Sequence, residues 1–322
     1  MAGDHPDESL VEVGEFAAID RLVAGRRQPP SVSLGPGDDA AVVAAPDGRT
    51  VVSTDMLVED RHFRLDWSTP YDVGRKAIAQ NAADIEAMGA RATAFVVGFG
   101  APGDTATASA VELADGMWHE AGLLGAGIVG GDMVRAPQWV ISVAALGDLG
   151  GLDPVRRGGA RPGDTVAVIG HLGRSAAGYT LWRNGIGGFD GLRRHHLVPE
   201  PPYGQGPVAA RAGATAMSDV SDGLLADLDH IASASGVRVD VHTAGLRSDV
   251  DALVAAATAA GSAALDWVLG GGEDHALVAT FPAALPPGWR AIGTVLHTAA
   301  DTPPRVTVDG AHWGGDPGWQ SF

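Results

Sequence analysis

Apolar positions along the chain change period several times, and each change marks an element. Short apolar runs closed by polar or glycine-rich turns predict strands at Arg49–Ser53, Ala94–Phe99, Ala126–Val129 and Trp139–Leu146. Between them, Arg75–Gly89 and Thr107–Ala121 predict helices, each stopped by glycine. Gly147–Arg161 is rich in glycine and arginine and has little periodicity. It predicts a domain boundary, dividing the chain into residues 1–149 and 150–322. The second part is expected to open with strand Thr165–Ile169 and helix Ser175–Arg183. Gly185–Gly206, with Pro199, Pro201 and Pro202, reads as a long surface excursion. Helix Leu224–Ser235, strand Arg238–His242, a helix near Asp249–Ala260, strands His275–Phe281 and Arg290–Val295 and a hairpin at Arg305–His312 follow. Strands with intervening helices throughout predict a mixed α/β (α+β) fold of two sandwich-like domains. No repeat relates the halves.

Composition narrows the chemistry. The 322 residues suffice for two cores, and 45% hydrophobic content is that of an ordinary globular protein. With no cysteine, disulfides, thiolate nucleophiles, iron–sulfur clusters and cysteine-ligated zinc are excluded. A formal charge of −17 argues against nucleic acid or anionic lipid as the main partner. Lys76 is the sole lysine, so any grip on phosphate falls to arginines and metals. The acidic start lacks a signal peptide's basic and apolar regions. The uncharged stretches Ala92–Gly103, Ala136–Gly147 and Ala252–Leu265 are too short or too rich in small residues to span a bilayer. A cytoplasmic enzyme without a membrane partner is expected.

The acids are placed unusually. Asp38, Asp39, Asp55, Asp84, Asp132, Asp219, Asp222, Glu273 and Asp274 sit in short turns or small-residue segments and not on charged helical faces. Oxygen-only ligands of this kind suit Mg²⁺, which is usually shared with substrate phosphates. Several cations in such a site would invert its field before a polyanion arrives, which reconciles the net charge with a phosphate substrate.

Each motif also has a plain structural reading. Asp38-Asp39 after Gly35-Pro36-Gly37 could simply satisfy turn N–H groups. Ser53-Thr54-Asp55 ends an apolar strand, either as a ligand site or as a helix cap. Asp84 lies within a small, apolar helical segment, where an unpaired carboxylate costs several kcal/mol, on the order of the penalty for burying an ion. A metal would remove that cost; a solvent-facing position or pairing with Arg75 or Arg91 is the alternative. Gly130-Gly131-Asp132 reads as a close phosphate approach with a metal carboxylate, or as common turn chemistry. Ser218-Asp219-Val220-Ser221-Asp222-Gly223 sets two acids at the head of a helix, whose N–H groups favour anions. Its spacing is not that of an EF-hand, because His230 stands where the closing Glu would be. The triplet Gly270-Gly271-Gly272 before Glu273-Asp274 predicts a close backbone approach, with a flexible loop as the alternative. His62, beyond the Asp55 turn, is a candidate substrate contact or a structural histidine. Gly170-His171-Leu172-Gly173 is a weak phosphate signal. No P-loop, kinase-type catalytic loop or His-Glu-x-x-His motif occurs.

In this order the segments resemble the thiamine-monophosphate kinases, of the superfamily that includes aminoimidazole ribonucleotide synthetase. The resemblance rests on Gly37-Asp38-Asp39-Ala40-Ala41, Ser53-Thr54-Asp55-Met56-Leu57, His62-Phe63, Gly74-Arg75-Lys76-Ala77-Ile78 and Asn81-Ala82-Ala83-Asp84-Ile85. It continues through Met88-Gly89-Ala90, Gly130-Gly131-Asp132, the run Arg157–Asp164, Ser218–Leu224, Gly271-Gly272-Glu273-Asp274 and Gly318–Phe322. It implies transfer of the ATP γ-phosphoryl group to thiamine monophosphate. Asp39, Ser53, Thr54, Asp55, Asp84, Asp132, Asp219 and Asp222 would then hold several Mg²⁺ ions. Gly131, Asp132, Arg157 and Ser221 would meet ATP, and His62, Glu273 and Trp319 the thiamine substrate. It further implies a homodimer joined through the N-terminal domains, which would also bind ATP and Mg²⁺ while the C-terminal domain completes the site. The family's frequent nucleotide-facing Tyr has no counterpart in Val111–Trp118. The acceptor phosphate has its second pKa near about 6, so no general base is needed. None is assigned; metals and Asp222 are expected to support in-line transfer.

Overall fold

A computed structural model describes residues 8–36, 40–298 and 305–318. Its chain forms two compact units, Met1–Ala82 with Ala92–Asp148 and Ala83–Arg91 with Leu149–Phe322.

In the first unit, helices α1 (Leu10–Val13) and α2 (Glu15–Val23) precede a small antiparallel pair, β1 (Val32–Leu34) and β2 (Val42–Val43). The main sheet has four strands, β3 (Val51–Val58), β4 (Arg91–Ala101), β5 (Gly127–Arg135) and β6 (Val140–Asp148), in the order β3-β6-β4-β5. β3 and β6 are antiparallel. β4 and β5 are parallel, so a crossover is required, and helix α4 (Thr107–Leu124) supplies it. Helix α3 (Pro70–Ala87) starts with a reciprocal cap, in which Thr69 N donates to Asp72 Oδ2 (3.2 Å) and Asp72 N to Thr69 Oγ1 (3.1 Å). α3 and α4 cross at two glycines. A Cβ on Gly74 would stand 2.0 Å from the Leu113 carbonyl oxygen, and one on Gly116 2.0 Å from that of Tyr71. Only bare backbone lets the helices meet this closely.

The second unit carries β7 (Thr165–Ile169), β8 (Ala216–Asp219), β9 (Arg238–Val241), β10 (Leu277–Phe281), β11 (Arg290–Leu296) and β12 (Val306–Val308), in the order β12-β9-β11-β7-β10-β8. Its helices are α5 (Arg174–Arg183), α6 (Asp190–Leu197), α7 (Gln205–Arg211), α8 (Leu224–Ser235), α9 (Arg247–Ala260) and α10 (Ala264–Gly270). The sheet is buried on both faces. Val166, Val168, Val239, Val278 and Ile292 pack with α5, α8, α9 and α10, whereas Ala167, Met217, Leu277 and Phe281 pack with Ala209 of α7 and with Ala87. Glu86, buried at the end of α3, accepts from Gly204 N (2.8 Å) and Gly206 N (2.7 Å) at the start of α7, and burial holds its pKa above the ordinary value against those bonds.

Two sequence expectations are corrected. Gly185–Gly206 is not a surface excursion, because it contains α6 and places His195, His196, Val198 and Pro199 in the interior. Arg305–His312 closes as a hairpin only at its tip, where Val308 and Ala311 exchange both backbone hydrogen bonds (2.9 and 3.0 Å) across Asp309-Gly310; the main pairing of β12 is with β9, in parallel at the sheet edge. No single helix among the described residues is long and apolar enough to cross a membrane.

Candidate active site

In the second unit, two acidic turns lie side by side although more than fifty residues separate them in sequence. The antiparallel pairing of β8 with β10 continues past both strand ends. Val220 N donates to Ala276 O (2.8 Å), His275 N to Val220 O (2.9 Å) and Glu273 N to Ser221 O (2.7 Å). The Ser218–Gly223 turn thereby abuts the turn that carries Glu273. The glycine triplet is needed here. A Cβ on Gly271 would lie 2.3 Å from the Trp267 carbonyl oxygen, and one on Gly272 2.6 Å from that of Ser221. Glu273 and His275 themselves take positive φ, 62° and 52°, a conformation that only surrounding structure sustains.

Charge is concentrated at this junction. Asp219, at the end of β8, is buried, and its Oδ2 lies 3.0 Å from Nδ1 of the buried His275. Burial opposes a charge on His275, but the hydrogen bond and charge of Asp219, with Glu273 and Asp84 behind it, outweigh burial and raise its pKa. Asp84, half-buried on α3, thus acts electrostatically on the same group. Asp227, in the first turn of α8, was not among the sequence candidates. It is buried, and its Oδ2 accepts from the N–H groups of Asp222 and Gly223, both at 3.1 Å. Burial first, then the charge of Asp219, with a smaller part from Asp222, pushes its pKa up to about 7. Carboxylate oxygens of Asp222 and Asp227 and a ring nitrogen of His230 lie within 4.8 Å of one another. Carboxylates crowded in this way resist ionising together, and a hard cation relieves both the repulsion and the lost hydration. The two carboxylates fit Mg²⁺, which takes oxygen ligands, whereas the ring nitrogen of His230 falls outside that preference.

Asp274 and two histidines form the rear of the turn, and the sequence reading missed the histidines. Asp274 is buried and accepts from Gly173 N (2.5 Å) and Ser175 N (2.8 Å), capping α5 from outside. The Gly173 N–H at the end of the Gly170–Gly173 phosphate signal is therefore already engaged by a carboxylate. His195 Nε2 lies 3.5 Å from Asp274 Oδ1, and His196 Nδ1 lies 3.4 Å from Glu273 Oε2. Arg157 is exposed in the same unit, and its carbonyl accepts from Ser235 Oγ (2.9 Å).

In the first unit Asp55 sits on β3, half-buried against α3. Its N–H donates to Asn81 Oδ1 (3.0 Å), and Gln80 Nε2 donates to its Oδ2 (3.1 Å). Ser53 shares this face. Strand alternation sends Thr54 to the other face, where its hydroxyl donates to the Val143 carbonyl (2.9 Å). His62 Nδ1 accepts from Val58 N (3.0 Å), which leaves Nε2 as its donor edge. Lys76 is fully buried and donates to the His62 carbonyl (2.9 Å), so it braces that turn. Asp132 lies on β5, exposed, at the opposite edge of the sheet from Asp55. Three strand spacings separate the edges, about 14 Å, whereas Mg²⁺ ligands stand about 2.1 Å from the ion. Within one chain these two acids cannot share one cation. Gly131 is required by its neighbour, since a Cβ there would lie 2.1 Å from the Val97 carbonyl oxygen. Asp38, Asp39 and Trp319 lie outside the described residues.

Comparison with known proteins adds to this geometry. Residues 37–149 match the family model for the N-terminal domain of AIR synthase related proteins, and residues 161–267 the model for the C-terminal domain. A thiamine-monophosphate kinase of Mycobacterium tuberculosis (strain H37Rv) is 69% identical over 314 residues, covering 98% of this chain and 93% of the relative. One from Corynebacterium glutamicum is 45% identical over 321 residues, covering 97% and 94%. The solved structure of AaThiL complexed with AMPPCP and TMP superimposes with a TM-score of 0.75 at 27% identity, covering 98% of this chain and 99% of that one.

Proposed function

The chain belongs to the thiamine-monophosphate kinase family, and on that premise we propose that it transfers the γ-phosphoryl group of ATP to thiamine monophosphate, giving thiamine diphosphate and ADP. The observation that carries this reading is the apposition of the Ser218–Gly223 turn to the Glu273 turn. A carboxylate cluster fit for cations there adjoins a half-buried acid able to face a cationic acceptor. The relative complexed with AMPPCP and TMP supports the same pair of ligands.

In this reading Asp39, Ser53, Asp55 and Asp132 of the first unit and Asp84, Asp219 and Asp222 of the second would hold Mg²⁺, with Asp227 as a further candidate; Thr54, expected with them, is set apart because its hydroxyl donates to the Val143 carbonyl on the other face of β3. Magnesium bound there would offset the negative charge of the reacting phosphates. Ser221, Arg157, Gly131 and Asp132 receive ATP, and Arg157 supplies a permanent positive charge for its phosphates. Glu273 faces the positively charged thiazolium ring, His62 offers its Nε2 donor edge to the acceptor, and Trp319 adds a ring surface. The acceptor phosphate is largely ionised at neutral pH, since its second pKa is about 6. No residue of the chain must remove a proton. What these residues contribute is alignment of the attacking and leaving oxygens and exclusion of competing water.

A homodimer through the first unit belongs to the same proposal. Val52, Met56, Val96 and Val134 are exposed on its sheet, a pattern that a second copy would cover.

The test is a coupled ADP-release assay with Mg²⁺ and ATP, offering thiamine monophosphate, thiamine and purine-precursor ribonucleotides in turn. Turnover with thiamine monophosphate alone is expected. ADP release only with a purine precursor, or with no acceptor at all, would overturn the assignment.

A further inference from the structure

We propose that the cavity between the Gly170–Gly173 loop and the start of α9 is an anion site, taking inorganic phosphate or a small phosphomonoester. The cavity measures about 260 Å³, and His171, Arg174, Ser248, Asp249 and Arg290 are among its walls. It lies apart from the acidic turns. β7 ends at Ile169 and β11 starts at Arg290, so both strands lead into it. In the order β11-β7-β10-β8, Asp219 stands at the end of β8, two strand spacings or about 10 Å from β7. The volume falls below the range of about 300–1,000 Å³ that holds drug-sized ligands, which suits a phosphate-sized group better than a nucleotide.

The walls are already fixed. Arg290 donates through Nη1 to Asp249 Oδ2 (2.5 Å) and through Nη2 to Asp249 Oδ1 (3.2 Å) and the Gly170 carbonyl (3.0 Å). It thereby ties the loop to α9 and offsets the charge of Asp249. Gly173 takes φ 78°, and a Cβ there would lie 2.8 Å from Leu253 Cδ1, so the loop is seated on α9. Asp274 already holds the Gly173 and Ser175 N–H groups, which leaves side chains to grip a ligand. Arg174 is the group available. It is half-buried, and among the described residues its guanidinium has no hydrogen-bond or ion-pair partner. Its planar fork of donors matches two phosphate oxygens at once. Burial first, and then the charge of Arg174, lower the pKa of His171, and Arg174 acts on it more strongly than Glu200 or Asp249 does. His171 is therefore neutral at neutral pH and adds a ring nitrogen to the wall.

Isothermal titration calorimetry of the full chain in chelator tests this independently of any turnover. Without Mg²⁺ the acidic turns repel phosphate, so heat reports the cavity. Inorganic phosphate and glycerol phosphate are titrated in parallel, and one equivalent of at least one of them should bind. Whichever binds more tightly identifies the ligand as the free anion or the ester. R174Q should weaken that binding about tenfold, the scale of a lost charge-assisted contact. R183Q removes an exposed charge from the far end of α5 and should leave binding within about twofold. D249N removes a negative charge from the wall and should tighten binding about threefold, a gain that damage to the fold would not produce. No binding of either probe to wild type, equal losses in R174Q and R183Q, or weaker binding in D249N would overturn the proposal.

Discussion

Asp227 is caught between two backbone donors that favour its charge and two carboxylates, together with burial, that oppose it, and the opposition prevails. Its pKa of about 7 in the folded protein lies above that of the unfolded chain, near 3.8. The unfolded chain therefore releases this proton first. The stability this group contributes is complete below about pH 4 and is lost as pH rises towards about 7, at up to about 1.4 kcal/mol per unit. Metal-free protein should accordingly lose thermal stability across that window, and Mg²⁺ should restore it at pH 7.5. Asp227→Asn keeps an acceptor for the Asp222 and Gly223 N–H groups while removing the charge. In differential scanning calorimetry with chelator it should flatten the pH dependence and raise the midpoint at pH 7.5. A variant as pH-sensitive as wild type would show that the crowding lies elsewhere.

Among the elements, the α3–α4 crossing leaves no room for a side chain at either of its glycines. Gly74→Ala would drive a Cβ into the Leu113 carbonyl at 2.0 Å, against backbone that cannot rotate away. Overpacking of this kind costs about 1–3 kcal/mol or more. Urea titration should show a lower midpoint for the transition of the first unit, while Gly122→Ala on the open side of α4 serves as control, since nothing lies within 4 Å of a Cβ there. The elements with strong periodicity or clear stops were legible in sequence; β7 and α8 match their predicted bounds, whereas α3 begins at Pro70, more than a turn before the predicted Arg75, and α4 runs on past the predicted Ala121 to Leu124. α6 was not legible. Its sequence, Asp-Gly-Leu-Arg-Arg-His-His-Leu, has only two large apolar residues and a glycine near its start, and it is buried by close packing on α5, where a Cβ on Gly178 would lie 2.2 Å from the Leu192 carbonyl oxygen. β12 failed for a related reason, because its partner is β9 and not a neighbouring turn.

At the scale of the whole molecule, the Asp219/Asp222 and Glu273/Asp274 turns were readable as motifs, but their spatial grouping was not, and Asp55 and Asp132, expected in turns, lie inside strands β3 and β5. Glycines at 270–272 announced a close approach without saying to what, and only the β8–β10 pairing identifies the Ser221 turn as the partner. Asp227 was indistinguishable in sequence from an ordinary first-turn acid. Sequence also could not show that Asp55 and Asp132 occupy opposite sheet edges, since strand order depends on long-range pairing. The uncovered apolar residues of that sheet give an assembly prediction. Light scattering at micromolar concentration should find the proposed dimer for the wild type and a monomer for Val134→Asp or Met56→Asp. A dimer unaffected by either change would place the interface on another surface.

The burial of Lys76 against the His62 carbonyl has a practical corollary. Amine-directed reagents find no lysine side chain to modify while the first unit is intact, and acetylation at that position would require the unit to open. Isotope-coded acylation of the peptide containing Lys76, followed over time, would therefore report how often this part of the protein opens.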